Sequence, residues 1–192
     1  MANITAHAPW QLRRAAEIVH HGGVIAYPTE AVYGLGCNPN DSLAVSHLLA
    51  IKQRSIDKGL ILIAAEFVQL EPYIGEISKS IYQKIEKSWP GPVTWLLPKA
   101  EHTPAWLCGK HDKIAVRVTA HPIAAALCRA CDSALVSTSA NRDGQAPARN
   151  SLAVRRKLRG IDKIVHGTTG GLAQPSAIID ALSGQVIRAT KT

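Results

Sequence analysis

Lys52, Arg54 and Lys58 set three cations in one short stretch, just before the apolar run 60–65. Cations grouped this way can hold a phosphate chain through charge and N–H donors. They also suit the C-terminal end of a helix, where the macrodipole favours positive charge with no ligand present. Residue types alone leave both readings open. Arg117 lies between Val116 and Val118, and Arg188 follows Val186 and Ile187. An arginine among apolar strand residues either faces water or is aimed into a cleft, where its planar fork takes a carboxylate or phosphate by two bonds. Thr29 and Glu30 follow one short apolar run, and Ser137, Thr138, Ser139, Ala140 and Asn141 end another. Ligands of open α/β sheets gather beyond the carboxyl ends of strands. Hydroxyl and amide groups placed there can meet phosphate oxygens or an amino acid, although the same residue types also serve ordinary turns.

Several chemistries lack their signature. There is no G-x-x-x-x-G-K-[ST] loop, and Gly34-Leu35-Gly36 lacks the third glycine of a dinucleotide turn. A nucleotide bound here must be held by side-chain cations and backbone donors. The eight histidines do not combine with Cys, Asp or Glu at metal-ligand spacing, and no G-x-S-x-G elbow supports a serine hydrolase. Residues 142–163 hold seven basic residues against Asp143 and Asp162. That run, with Arg149, Arg155, Arg156 and Arg159, is either a solvated helix face or an electrostatic footprint for RNA. It contains no aromatic residue, so any RNA contact there is to backbone or shape.

The elements that must position these groups are short. Residues 9–21 read as a helix, with Pro9 in the first turn, Gly22 at the stop, and Leu12, Ala15, Ala16 and Val19 in one stripe. Residues 24–27 read as a strand emptying into the segment 28–36. Asp41 caps a helix to residue 51. The run 60–65 reads as a strand covered on both faces. Ile77, Ile81, Ile85 and Trp89 recur every fourth residue, an amphipathic helix stopped by Pro90. Strands are expected at 93–97, 114–118, 134–138, 163–166, 177–179 and 186–188. Helices are expected at 122–131 and, capped by Ser151, through residue 159. Interspersed helices and strands define an α/β class with a mixed sheet.

Composition bounds the rest. The 192 residues fit one domain at the usual ~100–200 residues, so residues 1–192 are expected to form a single domain. The net charge of +8 favours anionic partners. Aromatic residues make up only 5%, which argues against a single-strand binder that stacks bases on many rings. Apolar stretches fall far short of the ~18 residues of a membrane helix. The first ten residues carry no secretory pattern, and four cysteines in a chain this long do not resemble a secreted disulfide scaffold. A cytoplasmic protein with free thiols is expected. Cys128 and Cys131 form a lone C-x-x-C late in an expected helix and read as buried structural thiols.

In order along the chain stand Pro28-Thr29-Glu30-Ala31-Val32-Tyr33-Gly34-Leu35-Gly36, Lys52-Gln53-Arg54 and Ser139-Ala140-Asn141. With Trp89-Pro90-Gly91-Pro92-Val93-Thr94, Ala115-Val116-Arg117-Val118, Pro175-Ser176-Ala177-Ile178-Ile179-Asp180 and Arg188, the chain resembles the YrdC/TsaC family over nearly its whole length, in the short form. The resemblance implies a twisted mixed α/β sheet flanked by helices, with a concave basic face. It implies the synthesis of threonylcarbamoyl-adenylate and pyrophosphate from L-threonine, bicarbonate and ATP, with Mg²⁺ carried by the phosphates. The product would serve a separate threonylcarbamoyl-transferase complex that modifies tRNA. Carried over by position, Lys52, Arg54, Lys58, Thr94, Ser139, Asn141 and Arg188 are implied on the ATP side. Of these, Lys52, Arg54, Ser139 and Asn141 are implied nearest the chemistry. Thr29, Tyr33, Arg117, Ser137 and Ser176 are implied on the threonine side, and Ser137 and Thr94 suit either half. Ser55 and Gly59 stand where many relatives have proline. A Ser55→Pro, Gly59→Pro chain is therefore expected to hold ATP more tightly. The competing reading is a double-stranded-RNA-binding or ribosome-maturation factor on the same fold. A carbamoyl-transferring enzyme and a plain nucleotide hydrolase are weaker rivals.

Overall fold

Alternation decides where each strand sends its side chains, and here both faces are covered. In the computed structural model, which describes residues 9–189, strand β1 (Ile25–Pro28) turns Ile25 and Tyr27 to one layer and Val24 and Ala26 to the other. Strand β3 (Ile61–Ala64) does the same, with Ile63 on the first side and Leu62 and Ala64 on the second. The continuous apolar run 60–65 has this cause: a two-sided sheet leaves no position for a polar residue.

The first layer is made by helix α1 (Pro9–His20) packed on helix α5 (Pro122–Ala130). Ala15, Ala16 and Val19 of α1 meet Ile123, Leu127 and Cys128 of α5 there. The second holds helix α2 (Ser42–Lys52), whose Val45, Leu48 and Leu49 pack under the sheet. Asp41 caps α2 as expected, accepting from the Leu43 and Ala44 amides at 2.9 and 3.0 Å. Gln53, with φ of 52°, ends it in the left-handed region. That ending turns the chain at the Lys-x-Arg segment.

The remaining strands are β2 (Tyr33–Gly36), β4 (Val93–Pro98), β5 (Lys113–Val118), β6 (Leu135–Ser139), β7 (Lys163–Ile164), β8 (Ala177–Asp180) and β9 (Val186–Arg188). The described residues form one nine-stranded mixed sheet, ordered β7-β1-β2-β6-β3-β5-β4-β8-β9. Helices α3 (Lys79–Glu86), α4 (Ala105–Cys108) and α6 (Ser151–Lys157) complete the fold. All four cysteines are free and buried.

Four local expectations are corrected. Residues 33–36 form a strand, paired antiparallel with β1 and with β6, where the sequence pattern assigns no element. Gly34 and Gly36 hide it, since glycine weakens any strand signal. Gly36 is required by contact: an added Cβ would lie 2.6 Å from the Val136 carbonyl oxygen and 2.8 Å from the Tyr27 ring. Gly36→Ala is expected to lower unfolding free energy by roughly 1–3 kcal/mol, read from urea denaturation. Helix α3 covers only Lys79–Glu86, because Ser78 caps it by accepting the Ile81 amide at 3.3 Å. Helix α6 is capped by Asn150, not Ser151, and ends at Lys157, because Leu158 turns extended and inward. Residues 105–108, unassigned from sequence, form the short α4.

Candidate functional site

Strand ends from across the sheet open into one cleft of about 630 Å³. The β1–β2 turn brings Thr29 and Glu30, β5 brings Arg117, and β6 with its following turn brings Ser137, Ser139 and Asn141. The segment entering β8 brings Ser176, and the end of β9 brings Arg188. The loop after α2 supplies Arg54 and Lys58. Nine of the twelve residues assigned to ATP or threonine by resemblance therefore line a single cavity.

The other three sit behind it. Thr94 is fully buried and shares a hydroxyl hydrogen bond of 3.0 Å with Ser176. Tyr33 is fully buried; its hydroxyl donates to the Gly167 carbonyl at 2.7 Å and accepts the Gly167 amide at 3.1 Å. Lys52 points beneath the turn after β6 and bonds the carbonyls of Ser139 and Asn141. Thr94 and Lys52 hold groups that line the cleft, and Tyr33 ties the backbone at Gly167.

The cations differ in how they are balanced. Arg117 Nη2 lies 3.2 Å from Glu30 Oε2, with both side chains under a tenth exposed. Glu30 Oε1 accepts the Thr119 hydroxyl at 2.6 Å and the Ala120 amide at 3.1 Å. Burial pushes the Glu30 pKa up, but Arg117 and these donors outweigh it and hold the carboxyl below its usual value. Lys58 and Arg54 both approach the Asp143 carboxylate, Arg54 Nη1 at 3.8 Å. The hydrogen bond from Lys58 is the main reason Asp143 titrates below its usual value. Arg188 donates to the Ser176 carbonyl from Nε at 3.0 Å and from Nη2 at 2.7 Å. Among the described residues no carboxylate pairs with it. Desolvation, then the fields of Arg117 and Arg54, lower its pKa. Arg54, Arg117 and Arg188 thus line one cavity, and the fields of the first two act on the third.

Glu30 was legible as a neighbour of Thr29, but its pairing with Arg117 depends on the β1–β2 turn meeting β5 across the sheet. Lys113 and Asp180, ion-paired on the cleft wall, are not legible as a pair: Lys113 is one charge beside an apolar strand, and Asp180 stands out only as the last residue of the Pro175–Asp180 motif. Among the described residues no group of three His, Cys, Asp and Glu side chains could hold a metal ion. No helix there is long and apolar enough to cross a membrane.

The basic run lies elsewhere. Arg155 and Arg159 line a second, shallower cleft with Lys163 and His166. Arg149 donates to the Ala173 carbonyl at 2.7 Å, and Arg156 is exposed on α6. None of these four arginines lines the main cavity.

The loop at Ser55 and Gly59 corrects one expectation. Ser55 has φ of −63°, a value proline adopts, but Gly59 has φ of +62° and donates its N–H to the Ile56 carbonyl at 3.2 Å. Proline fits neither feature of Gly59. An added Cβ there would also come 3.0 Å from the Cys108 carbonyl oxygen.

The sheet and cleft together describe an α/β protein that gathers hydroxyls and arginines at strand ends around one cleft. A family model, Sua5/YciO/YrdC, described as "Telomere recombination", matches residues 17–190, and the chain belongs to this family. Over 180 residues it is 54% identical to a protein of Nitrosococcus oceani named threonylcarbamoyl-AMP synthase, covering 93% of this chain and 97% of that one. Among solved structures it resembles P. abyssi Sua5 complexed with L-threonine, with TM-score 0.85 and 36% identity over 90% of this chain. The chain spans about half of that protein, 51% of its length. E. coli YciO aligns with TM-score 0.84 and 28% identity, over 94% of this chain and 89% of that one.

Proposed function

We propose that this chain is a threonylcarbamoyl-AMP synthase acting as a nucleotidyltransferase on ATP. The observation that carries the reading is the single cleft in which Arg117, already balanced by Glu30, faces the same space as the uncompensated Arg188. The first arrangement suits the carboxylate of a zwitterion, and the second suits a polyphosphate.

The chemistry asks for positioning and charge neutralisation. Bicarbonate carboxylates the threonine amine with loss of water. A carbamate oxygen then bonds the α-phosphorus as the bond to pyrophosphate breaks. No covalent enzyme intermediate is needed, so held geometry and fixed cations do the work. Arg54, Lys58 and Arg188 receive the triphosphate, and the Ser139 hydroxyl meets the nucleotide. Thr29, Arg117, Ser137 and Ser176 hold threonine. Asn141 keeps the turn in shape, since its Nδ2 donates to the carbonyls of Arg142 and Gln145, both at 2.7 Å. The cleft offers cations rather than a metal-ligand set, which fits Mg²⁺ carried on the phosphates, where it adds charge neutralisation. Residues 1–192 act as one YrdC-like domain in a reducing cytoplasm. The adenylate is then consumed by a threonylcarbamoyl-transferase complex acting on tRNA.

The test is pyrophosphate release from ATP, Mg²⁺, L-threonine and bicarbonate, with each omitted in turn. Release that requires threonine and bicarbonate together supports the synthase. Release without them, or none, overturns it. Within this reading Gly59→Pro is expected to weaken ATP binding and to destabilise the fold by about 3 kcal/mol. Ser55→Pro keeps the backbone angle but loses the hydroxyl that accepts the Asp57 amide at 3.2 Å, so it should cost about 1 kcal/mol and leave ATP binding little changed. ATP titration and thermal melting of the two single variants check this. The second reading, a double-stranded-RNA or tRNA backbone along Arg149, Arg155, Arg156 and Arg159, is favoured by the separate basic cleft at Arg155 and Arg159. A filter-binding salt series with duplex RNA tests it.

A further inference from the structure

Lys52 is the fully buried cation beside this site, 1% exposed. Its ammonium has three N–H donors and three acceptors: the carbonyl of Ser139, the carbonyl of Asn141 at 2.8 Å and Asn141 Oδ1 at 3.5 Å. The ammonium therefore faces the turn, and Lys52 does not line the cleft. The Lys52 backbone carbonyl also accepts the Asp143 amide at 2.8 Å. One residue at the end of α2 is thus tied by side chain and main chain to the turn 139–143. The Asp143 carboxylate of that same turn reaches back to Arg54 and Lys58. The Ser139 hydroxyl, in contrast, makes no hydrogen bond within the described residues and lines the cleft.

We propose that Lys52 is a positioning residue: it fixes the carbonyls of the Ser139–Asn141 turn, so that the Ser139 hydroxyl meets the nucleotide, and it touches no phosphate itself. The proposal rests on the nucleotide reading given above. Burial and the nearby Arg54 outweigh Asp143 and bring the Lys52 pKa down to about 8. A phosphate contact would act in the opposite direction.

A double-mutant cycle tests it. ATP and AMP are titrated by calorimetry into the full chain, into Lys52→Met and Ser139→Ala, and into the double variant, all well below their melting temperatures. Lys52→Met is expected to weaken ATP roughly ten- to a hundredfold. Adding it to Ser139→Ala should change affinity by less than about twofold, because the two act through one contact. Multiplying effects would mean that Lys52 contacts the ligand independently and would overturn the proposal. Unchanged affinity in Lys52→Met would reduce Lys52 to a stabilising role and overturn it too. A wild-type chain that binds neither nucleotide defeats the synthase reading itself, and this inference with it. If Lys52→Met does not fold, the wild-type Lys52 ammonium is titrated by NMR with and without ATP. An unchanged pKa supports positioning, and a rise of about one unit or more overturns it.

Discussion

Replacing Arg117 by alanine is expected to cut threonine-dependent turnover on the order of a hundred- to a thousandfold and to destabilise the protein by about 3–5 kcal/mol. The two effects share a cause. Arg117 and Glu30 are both buried, and Thr119 and Ala120 bind only Glu30 Oε1. Without the guanidinium, Glu30 Oε2 is a buried carboxylate oxygen with neither partner nor counter-ion. Nucleotide affinity should stay within about threefold, since Arg54, Lys58 and Arg188 remain. Arg117→Lys keeps the charge but loses the planar fork, so it should recover stability better than threonine affinity. A Glu30→Gln, Arg117→Met chain removes both charges and should recover stability without activity. Loss of nucleotide affinity with threonine affinity intact would contradict the assignment. The pH dependence has a definite sign. With its folded pKa below the ordinary 4.5, Glu30 contributes stability in full above that value, and the contribution is lost as pH falls through the folded pKa. In Arg117→Ala burial dominates instead and raises the Glu30 pKa, so protonation relieves the buried charge: the stability deficit against the wild-type chain should be largest near neutral pH and shrink as pH falls through the raised pKa.

The parts of this molecule that were legible in the sequence are those set by local rules. Asp41 announces its helix because a carboxylate before an apolar stripe has free amides to accept. The runs 60–65 and 134–138 announce strands because both faces are buried. The β1–β2 hairpin was hidden, because Gly36, which lets Tyr27 and Val136 pack close, and Gly34 together erase the strand pattern. In the site, residue types and strand ends pointed to an anion. Motif order then named the residues, and nine of twelve do line one cleft. Which of them touch the ligand and which hold another residue is a property of long-range pairing. Lys52 and Asn141 are 89 positions apart, and Glu30 and Thr119 are also 89 apart. Spacing along the chain carries no record of either contact.

Arg188→Met is expected to do the opposite of Arg117→Ala: to weaken ATP binding roughly ten- to a hundredfold while leaving stability within about 0.5 kcal/mol. Arg188 sits in the fields of Arg117 and Arg54 and pairs with no carboxylate among the described residues. Its bonds go to the Ser176 carbonyl and, at 3.3 Å, to the Ser176 hydroxyl. This cation is held against its neighbours' repulsion, and removing it relieves that repulsion as it removes the bonds. Strain of this kind at a ligand site is released when the ligand arrives, so ATP should raise the wild-type melting temperature far more than that of Arg188→Met. Threonine binding measured alone should change less than about twofold, because Thr94 still holds Ser176 from behind at 3.0 Å. Calorimetric titration of both ligands, beside thermal melts with and without ATP, reads all three quantities. A large stability loss in Arg188→Met would show that β9 depends on this arginine as a structural tie. Unchanged ATP affinity would remove Arg188 from the triphosphate site and leave Arg54 and Lys58 to carry it.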